Sequence, residues 1–287
     1  MKYQFFPGCS LLTSAKDFSQ SIQAIAPDLN LELTEIPDWN CCGSTVTSSL
    51  DYLSAQLMPA RNLALASEQE GDVMAACNSC YLTLTKASEN LSSYPELQHK
   101  VHRLLEEVGL KMARKVKVKH LLEILWREVG SAKIKNLVRK PLGALKVVPY
   151  YGCQIVKPAS FDEAENPQSM DQILSAIGCE VQEFYQKSRC CGGALITTQP
   201  ELALKLIQEI LAEAQERRAD LIATTCPLCQ MNLEAYQKQV NRKFKRNYQI
   251  PVVYFTQLLG LALGKHYQSL GLESGLVSMK TVLGKIS

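Results

Sequence analysis

The chain lacks a long hydrophobic run. Its longest nearly uncharged apolar stretch, Val252 to Gly264, falls short of the roughly 20 apolar residues that a membrane-spanning helix needs. The opening residues, Met-Lys-Tyr-Gln-Phe-Phe-Pro-Gly-Cys, hold neither the apolar core nor the small-residue cleavage site of a secretory leader. A cytoplasmic protein is therefore expected, at most peripheral at the cytoplasmic membrane face. Strong net charge is missing too: 31 Lys and Arg against 28 Asp and Glu leave +3. Basic residues do concentrate from Lys111 to Lys146, where eleven Lys or Arg stand against Glu123 and Glu128. With no nucleic-acid recognition motif beside it, that stretch reads as a solvated face or a docking site for an acidic subunit or anionic lipid, and nucleic acid is not an expected partner.

Nucleotide motifs are absent as well. No G-x-G-x-x-G occurs, and Gly260-Leu-Ala-Leu-Gly264-Lys265 is one residue short of a phosphate loop, with His266 where Ser or Thr belongs. Any flavin or nicotinamide is thus expected on a partner. Histidine is scarce: His99, His102, His120 and His266 are scattered and read as surface or structural residues. The i, i+3 pair His99/His102 has no third ligand nearby in sequence.

What the chain does have is cysteine, eleven in 287 residues, and ten of them form two copies of one pattern. The first is Cys9, Cys41-Cys42-Gly43 and Cys77-Asn78-Ser79-Cys80; the second is Cys153, Cys190-Cys191-Gly192 and Cys226-Pro227-Leu228-Cys229. From doublet to C-x-x-C there are 34 intervening residues in both copies, and from lone Cys to doublet 31 and 36. A reducing compartment and two adjacent Cys-Cys pairs argue against a disulfide scaffold. A zinc site built from the two C-x-x-C pairs leaves both doublets and both lone cysteines without a role, because zinc closes with four ligands. A thioredoxin-like redox pair leaves still more unexplained. An iron-sulfur cluster in each half accounts for them better, with the fifth thiol either bridging two irons or exchangeable. The eleventh, Cys179, follows Gly178 and reads as a small buried hydrophobe.

Apolar runs of strand length precede the cysteines: Tyr3 to Phe6, Leu29 to Ile36 and Val73 to Ala76 in one half, Val147 to Tyr151, Val181 to Tyr185 and Leu221 to Thr225 in the other. Helical periodicity separates them, as in Pro59 to Glu70 and Glu201 to Arg217. After each C-x-x-C a helix, a short strand (Val116 to Val118; Val252 to Phe255) and a leucine-rich helix (Leu121 to Trp126; Leu258 to Leu263) follow. This predicts an α/β fold of two similar halves from an internal duplication, residues 1–140 and 141–287, with parallel sheets, helical crossovers and cysteines converging between the halves. The basic stretch from Gly130 to Leu145, with Pro141 and Gly143, is the expected joint. Near the end, Leu272, Leu276, Met279, Leu283 and Ile286 recur at helical spacing, which predicts packing against this protein or a partner in preference to a membrane interface, although Gly275 and Gly284 weaken a helix there.

The doubled arrangement resembles the CCG-domain proteins, and over nearly the whole chain the B-subunit family of heterodisulfide reductase. The resemblance includes Pro7-Gly8-Cys9, Tyr150-Tyr151-Gly152-Cys153, Glu165-Asn166-Pro167-x-Ser169-Met170, Arg189-Cys190-Cys191-Gly192-Gly193 and Gln257-Leu258-Leu259-Gly260. It implies two noncubane [4Fe-4S] clusters, one on Cys9, Cys41, Cys42, Cys77 and Cys80, the other on Cys153, Cys190, Cys191, Cys226 and Cys229. It further implies a cubane iron-sulfur subunit and a flavoprotein subunit as partners, and cleavage or formation of a small-molecule disulfide. Similar subunits serve a class of succinate:quinone oxidoreductase, so a quinone is the alternative substrate.

Overall fold

Eight short strands form two separate parallel sheets, one in each half of the chain. The computed structural model describes residues 1–44, 47–156 and 161–286. The first sheet contains β1 (Lys2–Phe6), β2 (Glu32–Glu35), β3 (Asp72–Ala75) and β4 (Val118–His120) in the order β2-β1-β3-β4. The second contains β5 (Lys146–Tyr150), β6 (Glu180–Val181), β7 (Leu221–Thr224) and β8 (Val252–Tyr254) in the order β6-β5-β7-β8. The identical order bears out the duplicated α/β architecture. Central strands β3 and β7 are apolar along almost their whole length (Val73-Met74-Ala75; Leu221-Ile222-Ala223) and fully buried, as parallel strands covered on both faces must be. The edge strand β2 is polar and largely exposed.

Several boundaries differ from the sequence reading. Of the run Val181 to Tyr185 only Val181 lies in a strand, because the backbone further on finds partners off the sheet: the Glu213 carboxylate accepts from the N–H of Tyr185 and of Gln186 at 2.9 and 3.1 Å. β4 starts two residues later than expected, in register with Val73 to Ala75. The helix expected from Pro59 begins earlier and spans Tyr52–Ser67, capped by the Asp51 carboxylate, which accepts from Ser54 N at 2.6 Å, with Pro59 inside it. The basic joint is no loose linker. It carries the helix Ser131–Leu137, buries Ile134, Leu142 and Leu145 completely, and donates the N–H of Arg139 and Lys140 to the Ala262 carbonyl. At the C-terminus only Lys280–Lys285 is helical. Leu272, Met279 and Ile286 pack inward while Leu276 is exposed, and the Glu234 carboxylate accepts from Leu276 N at 2.9 Å, so this segment packs against its own chain.

The halves are joined by exchanged helices. The helix Lys16–Ile25 of the first half packs on Phe255–Ala262 of the second, and Ser169–Ala176 of the second packs on Leu121–Glu123 and the π-helical turn Ile124–Val129 of the first. At the first contact Phe18 stacks face to face on Tyr254 with centroids 4.0 Å apart, and the hydroxyls of Ser21 and Thr256 share a hydrogen bond of 2.7 Å. At the second, Trp126 Nε1 donates to Gln172 Oε1 at 2.8 Å. One apolar core runs through both halves as a result. Phe18→Ala should therefore destabilise the whole chain by about 3–5 kcal/mol, as for a fully buried aromatic, in a single denaturant transition. A loss below about 1 kcal/mol, or a separate early transition of one half, would contradict a shared core.

Candidate metal centre

Strands of a parallel sheet end on one edge, so the loops after them share a rim. Cys9 and Cys77 lie just past β1 and β3, and Cys153 and Cys226 just past β5 and β7. The doublets arrive on the coil that follows β2 and β6. Each C-x-x-C opens a helix: Cys77 is the N-cap of Asn78–Ser93 with Cys80 in its first turn, and Cys226 is the N-cap of Pro227–Ala235 with Cys229 likewise. Unpaired N–H groups and the helix dipole there favour thiolate over thiol.

All ten predicted cysteines are brought together, and all are free thiols. Their sulfurs trace one run. Cys9 and Cys41 stand 3.9 Å apart; Cys41 and Cys80 both lie near enough to Cys42 to shift its acidity, and Cys77 near enough to Cys80 to do the same. Cys77 then meets Cys226 across the two halves. Cys226 neighbours Cys229, whose sulfur is 3.6 Å from Cys191, while Cys190 pairs with Cys153, which also feels the charge of Cys191. The middle is dry, with Cys42, Cys77, Cys80, Cys191, Cys226 and Cys229 buried, while Cys9, Cys41 and Cys190 are exposed and Cys153 half-buried. Sharing protons along the run splits the acidities. Donation from Cys41 and Cys80 pulls Cys42 down to about 3, donation from Cys153 pulls Cys190 down to about 6, and bonds from Cys229 and Cys77 hold Cys226 well below the ordinary thiol range. Each donor is raised in turn, Cys41 through Cys42 and Cys153 through Cys190.

Two glycines keep the rims open. Gly8 and Gly152, each immediately before a lone cysteine, adopt positive φ of +68° and +72°. A Cβ at Gly8 would stand 2.7 Å from Cys80 Sγ, and one at Gly152 would stand 3.0 Å from Cys229 Sγ. The same clearance is thus kept twice for the second thiol of each C-x-x-C.

The loops are held differently in the two halves. In the first, Asn62 accepts from Asn40 N at 2.8 Å and Arg61 reaches the Asp38 carbonyl at 2.6 Å. In the second, buried Lys187 donates to Asp171 and to the Pro167 carbonyl, both at 2.8 Å, while its own carbonyl accepts from Tyr151 and Gly152 N–H. The Tyr151 hydroxyl bonds to Asp171 at 2.5 Å and accepts from Met170 N at 2.7 Å. This buried ion pair ties the doublet loop and the lone-cysteine loop to the segment around Pro167 and Met170. Asn78 fastens the halves beside Cys77: its amide donates to the Tyr151 carbonyl at 2.6 Å and its carbonyl accepts from the Thr225 hydroxyl at 2.8 Å. Pro227 stands at the matching place in the second copy, so this bond has no twin.

The remaining sequence candidates fall as follows. Cys179 is buried beside β6, where burial pushes its thiol up to about 12. His99 and His102 line a surface hollow with Gln98, Lys100, Arg103 and Glu106 and no cysteine. His120 takes the structural alternative, being completely buried at the end of β4, with Nδ1 accepting from Leu122 N at 3.0 Å. The missed signal was its place between a short strand and a leucine-rich helix, the place Tyr254 holds in the second half. The two C-x-x-C pairs do meet, yet among the described residues no three His, Cys, Asp or Glu side chains are placed to hold one metal ion. Each pair is also in contact with its own doublet, which a lone zinc would leave idle.

The model of the CCG cysteine-rich domain matches residues 3–85 and again 147–234. The chain belongs to the CCG cysteine-rich domain family. Among CCG-domain relatives it is 35% identical over 279 residues to the 8-methylmenaquinol:fumarate reductase membrane anchor subunit of Wolinella succinogenes, covering 96% of this chain and 97% of that one. It is 34% identical over 272 residues to a protein of Archaeoglobus profundus that is named as like the B subunit of heterodisulfide reductase, covering 92% and 91%. The B subunit of a ferredoxin/F(420)H(2)-dependent CoB-CoM heterodisulfide reductase of Methanosarcina acetivorans is 30% identical, covering 99% and 97%. The relatives are thus oxidoreductase subunits. The fold also matches a hypothetical protein from Helicobacter pylori with a TM-score of 0.78 at 16% identity, over 96% of this chain and 52% of that one, so the chain spans about half the length of that structure.

Two outcomes test this geometry. Gly8→Ala and Gly152→Ala should each cost more stability than Gly109→Ala, which shares a positive φ of +76° but has open space around it and should lose only the backbone term of about 1–2 kcal/mol. Equal losses in equilibrium unfolding would show that the rims are not sterically tight. Because thiolate is the reactive form, Cys179 should resist alkylation by iodoacetamide at pH 8 in the folded protein and react on unfolding. Labelling at the rate of an exposed thiol would refute its burial.

Proposed function

We propose that this chain is an iron-sulfur redox subunit of a larger oxidoreductase, using two noncubane [4Fe-4S] clusters to reduce or form a disulfide of low-molecular-weight thiols. Cys9, Cys41, Cys42, Cys77 and Cys80 would hold one, Cys153, Cys190, Cys191, Cys226 and Cys229 the other, in halves divided as residues 1–140 and 141–287. The observation that carries the reading is that five thiols of each half gather at one sheet edge and the two sets come together where Cys77 and Cys226 perturb each other's acidity. At Gly8 and Gly152 the missing Cβ lets Cys80 and Cys229 sulfur pack directly against the backbone beside each lone cysteine, in the same way in both halves. A bound cluster supplies reversible one-electron chemistry together with a thiolate position that can exchange.

The protein's own part is shielding and orientation. Buried Cys42, Cys77, Cys80, Cys191, Cys226 and Cys229 exclude water from the centre, and the helix N-termini at Cys77 and Cys226 help compensate thiolate charge. Exposed Cys9, Cys41 and Cys190 mark the openings at which a substrate thiol or a partner subunit could approach. A cubane iron-sulfur subunit and a flavoprotein subunit are the partners this reading calls for, supported by relatives named as subunits of heterodisulfide reductases.

A second reading is favoured by the relative named as a fumarate reductase membrane anchor, at 35% identity over 96% of the chain: a peripheral, membrane-attached subunit exchanging electrons with quinone. Among the described residues no helix is long and apolar enough to cross a membrane, so attachment would have to be at the surface or through a partner.

Anaerobic purification should yield about eight irons and eight acid-labile sulfides per chain. One zinc with no iron would sink both readings. Cys42→Ser and Cys191→Ser should each alter the electron paramagnetic resonance signal of one cluster and spare the other; loss of both signals from either folded variant would rule out one cluster per half. Isolation of the native complex separates the substrates, since a co-purifying flavoprotein with succinate or fumarate activity favours quinone and one with disulfide reductase activity favours thiols.

A further inference from the structure

Buried polar side chains without a partner are few in the described residues, and three of the seven such atoms fall in one place. They are His120 Nε2, Tyr254 Oη and Thr224 Oγ1. His120 ends β4 in register with Ala75, two residues before Cys77, and Tyr254 ends β8 in register with Thr224, two residues before Cys226. The two are therefore equivalent positions of the duplicated fold, one filled by imidazole and the other by phenol. His120 is 0% and Tyr254 1% exposed. Both lie close enough for thiol charge to act on them, Cys226 on His120, and Cys226 and Cys77 on Tyr254.

Both groups are hydrogen-bond donors without a well-aligned acceptor, His120 having only the Ala76 backbone nearby. His120 Nδ1 accepts from Leu122 N at 3.0 Å, so the imidazole proton resides on Nε2, which passes near the Ala76 backbone without completing a hydrogen bond. Burial holds the ring neutral at pH 7, its acidity constant pressed down to about 3, so it stays in that one tautomer. The ring is fixed by the edge of Tyr81 at 5.6 Å and by Phe161 at 6.4 Å. Tyr254 is fixed by its stack on Phe18, and its hydroxyl proton meets no protein acceptor. Stranded donors of this kind are costly unless an acceptor arrives. Sulfurs carrying negative charge are such acceptors, and hydrogen bonds to them raise the reduction potential by stabilising the reduced state.

We propose that His120 and Tyr254 are a pseudo-symmetric pair of positioning residues whose donors, Nε2–H and Oη–H, unpartnered by any cysteine sulfur, hydrogen-bond to sulfur of the groups held beside the Cys77–Cys226 junction and so set their potentials. The proposal rests on the cluster reading above. It assigns a function to the one point at which both cysteine sets and both sheets meet. Because the donors differ, the two sites are tuned unequally although their thiols are the same.

The test is a potentiometric titration of the anaerobically purified protein, followed by electron paramagnetic resonance, with iron counted in every variant. Tyr254→Phe keeps the ring and its stack on Phe18 while deleting the donor. It should shift the reduction equilibrium toward the oxidised form about tenfold at fixed ambient potential, a fall of about 59 mV for a one-electron couple. His120→Leu should act in the same direction, and His120→Gln, which returns an N–H donor, should recover part of the shift. Unchanged midpoints in Tyr254→Phe and His120→Leu at full iron content would overturn the proposal, as would His120→Gln matching His120→Leu. Should His120→Leu fail to fold, Tyr254→Phe decides alone. A wild-type protein without iron would refute the cluster reading itself, a failure distinct from an iron-loaded protein with unmoved midpoints.

Discussion

Five thiols from three loops can reach one point only if those loops leave the same edge of a sheet, and parallel pairing is what puts them there. Every strand of each sheet runs the same way, so Cys9 and Cys77, and likewise Cys153 and Cys226, emerge on one rim. The rims must then face each other, and the contact of Cys77 with Cys226 shows that they do. The exchanged helices, with Phe18 on Tyr254 and Trp126 on Gln172, hold the two sheets in that orientation. Asn78 locks the same spot from within the rim.

Duplication made the thiols equivalent and left their surroundings free to diverge. Both C-x-x-C motifs open helices, and both lone cysteines follow a glycine whose missing Cβ leaves space for a sulfur. Around that shared frame the supports differ: Arg61 and Asn62 hold the first doublet loop, whereas the second is tied to the buried Lys187–Asp171 pair and Tyr151. A buried pair of this kind is costly to break, because either partner alone would be an uncompensated charge.

Much of this was legible in the residues. Matched cysteine spacing and the alternation of apolar runs with helical periodicity announced the two α/β halves, and the motifs identified the family. Less was legible at the ends of elements. The run Val181 to Tyr185 has strand composition, yet Glu213, far along the chain, captures its backbone. Pro59 looks like a helix start because proline favours the first turn, while the Asp51 cap lies eight residues before it, in a stretch without periodicity. The basic joint concealed Ile134, Leu142 and Leu145, whose burial depends on the helix Ser169–Ala176 and the Ala262 carbonyl.

The sequence by itself determined the two matched thiol sets and the two α/β halves, because spacing records duplication and the period of apolar residues reports strand or helix without knowledge of neighbours. Only the tertiary structure decided which thiols are dry and which are open, how the two sets join, and that His120 and Tyr254 stand beside the junction. Those are properties of distance between segments remote in the chain. His120 carries no local mark separating it from His99 or His266; the packing of Tyr81 and Phe161 around it, and the register of β4 against β3, are what bury it.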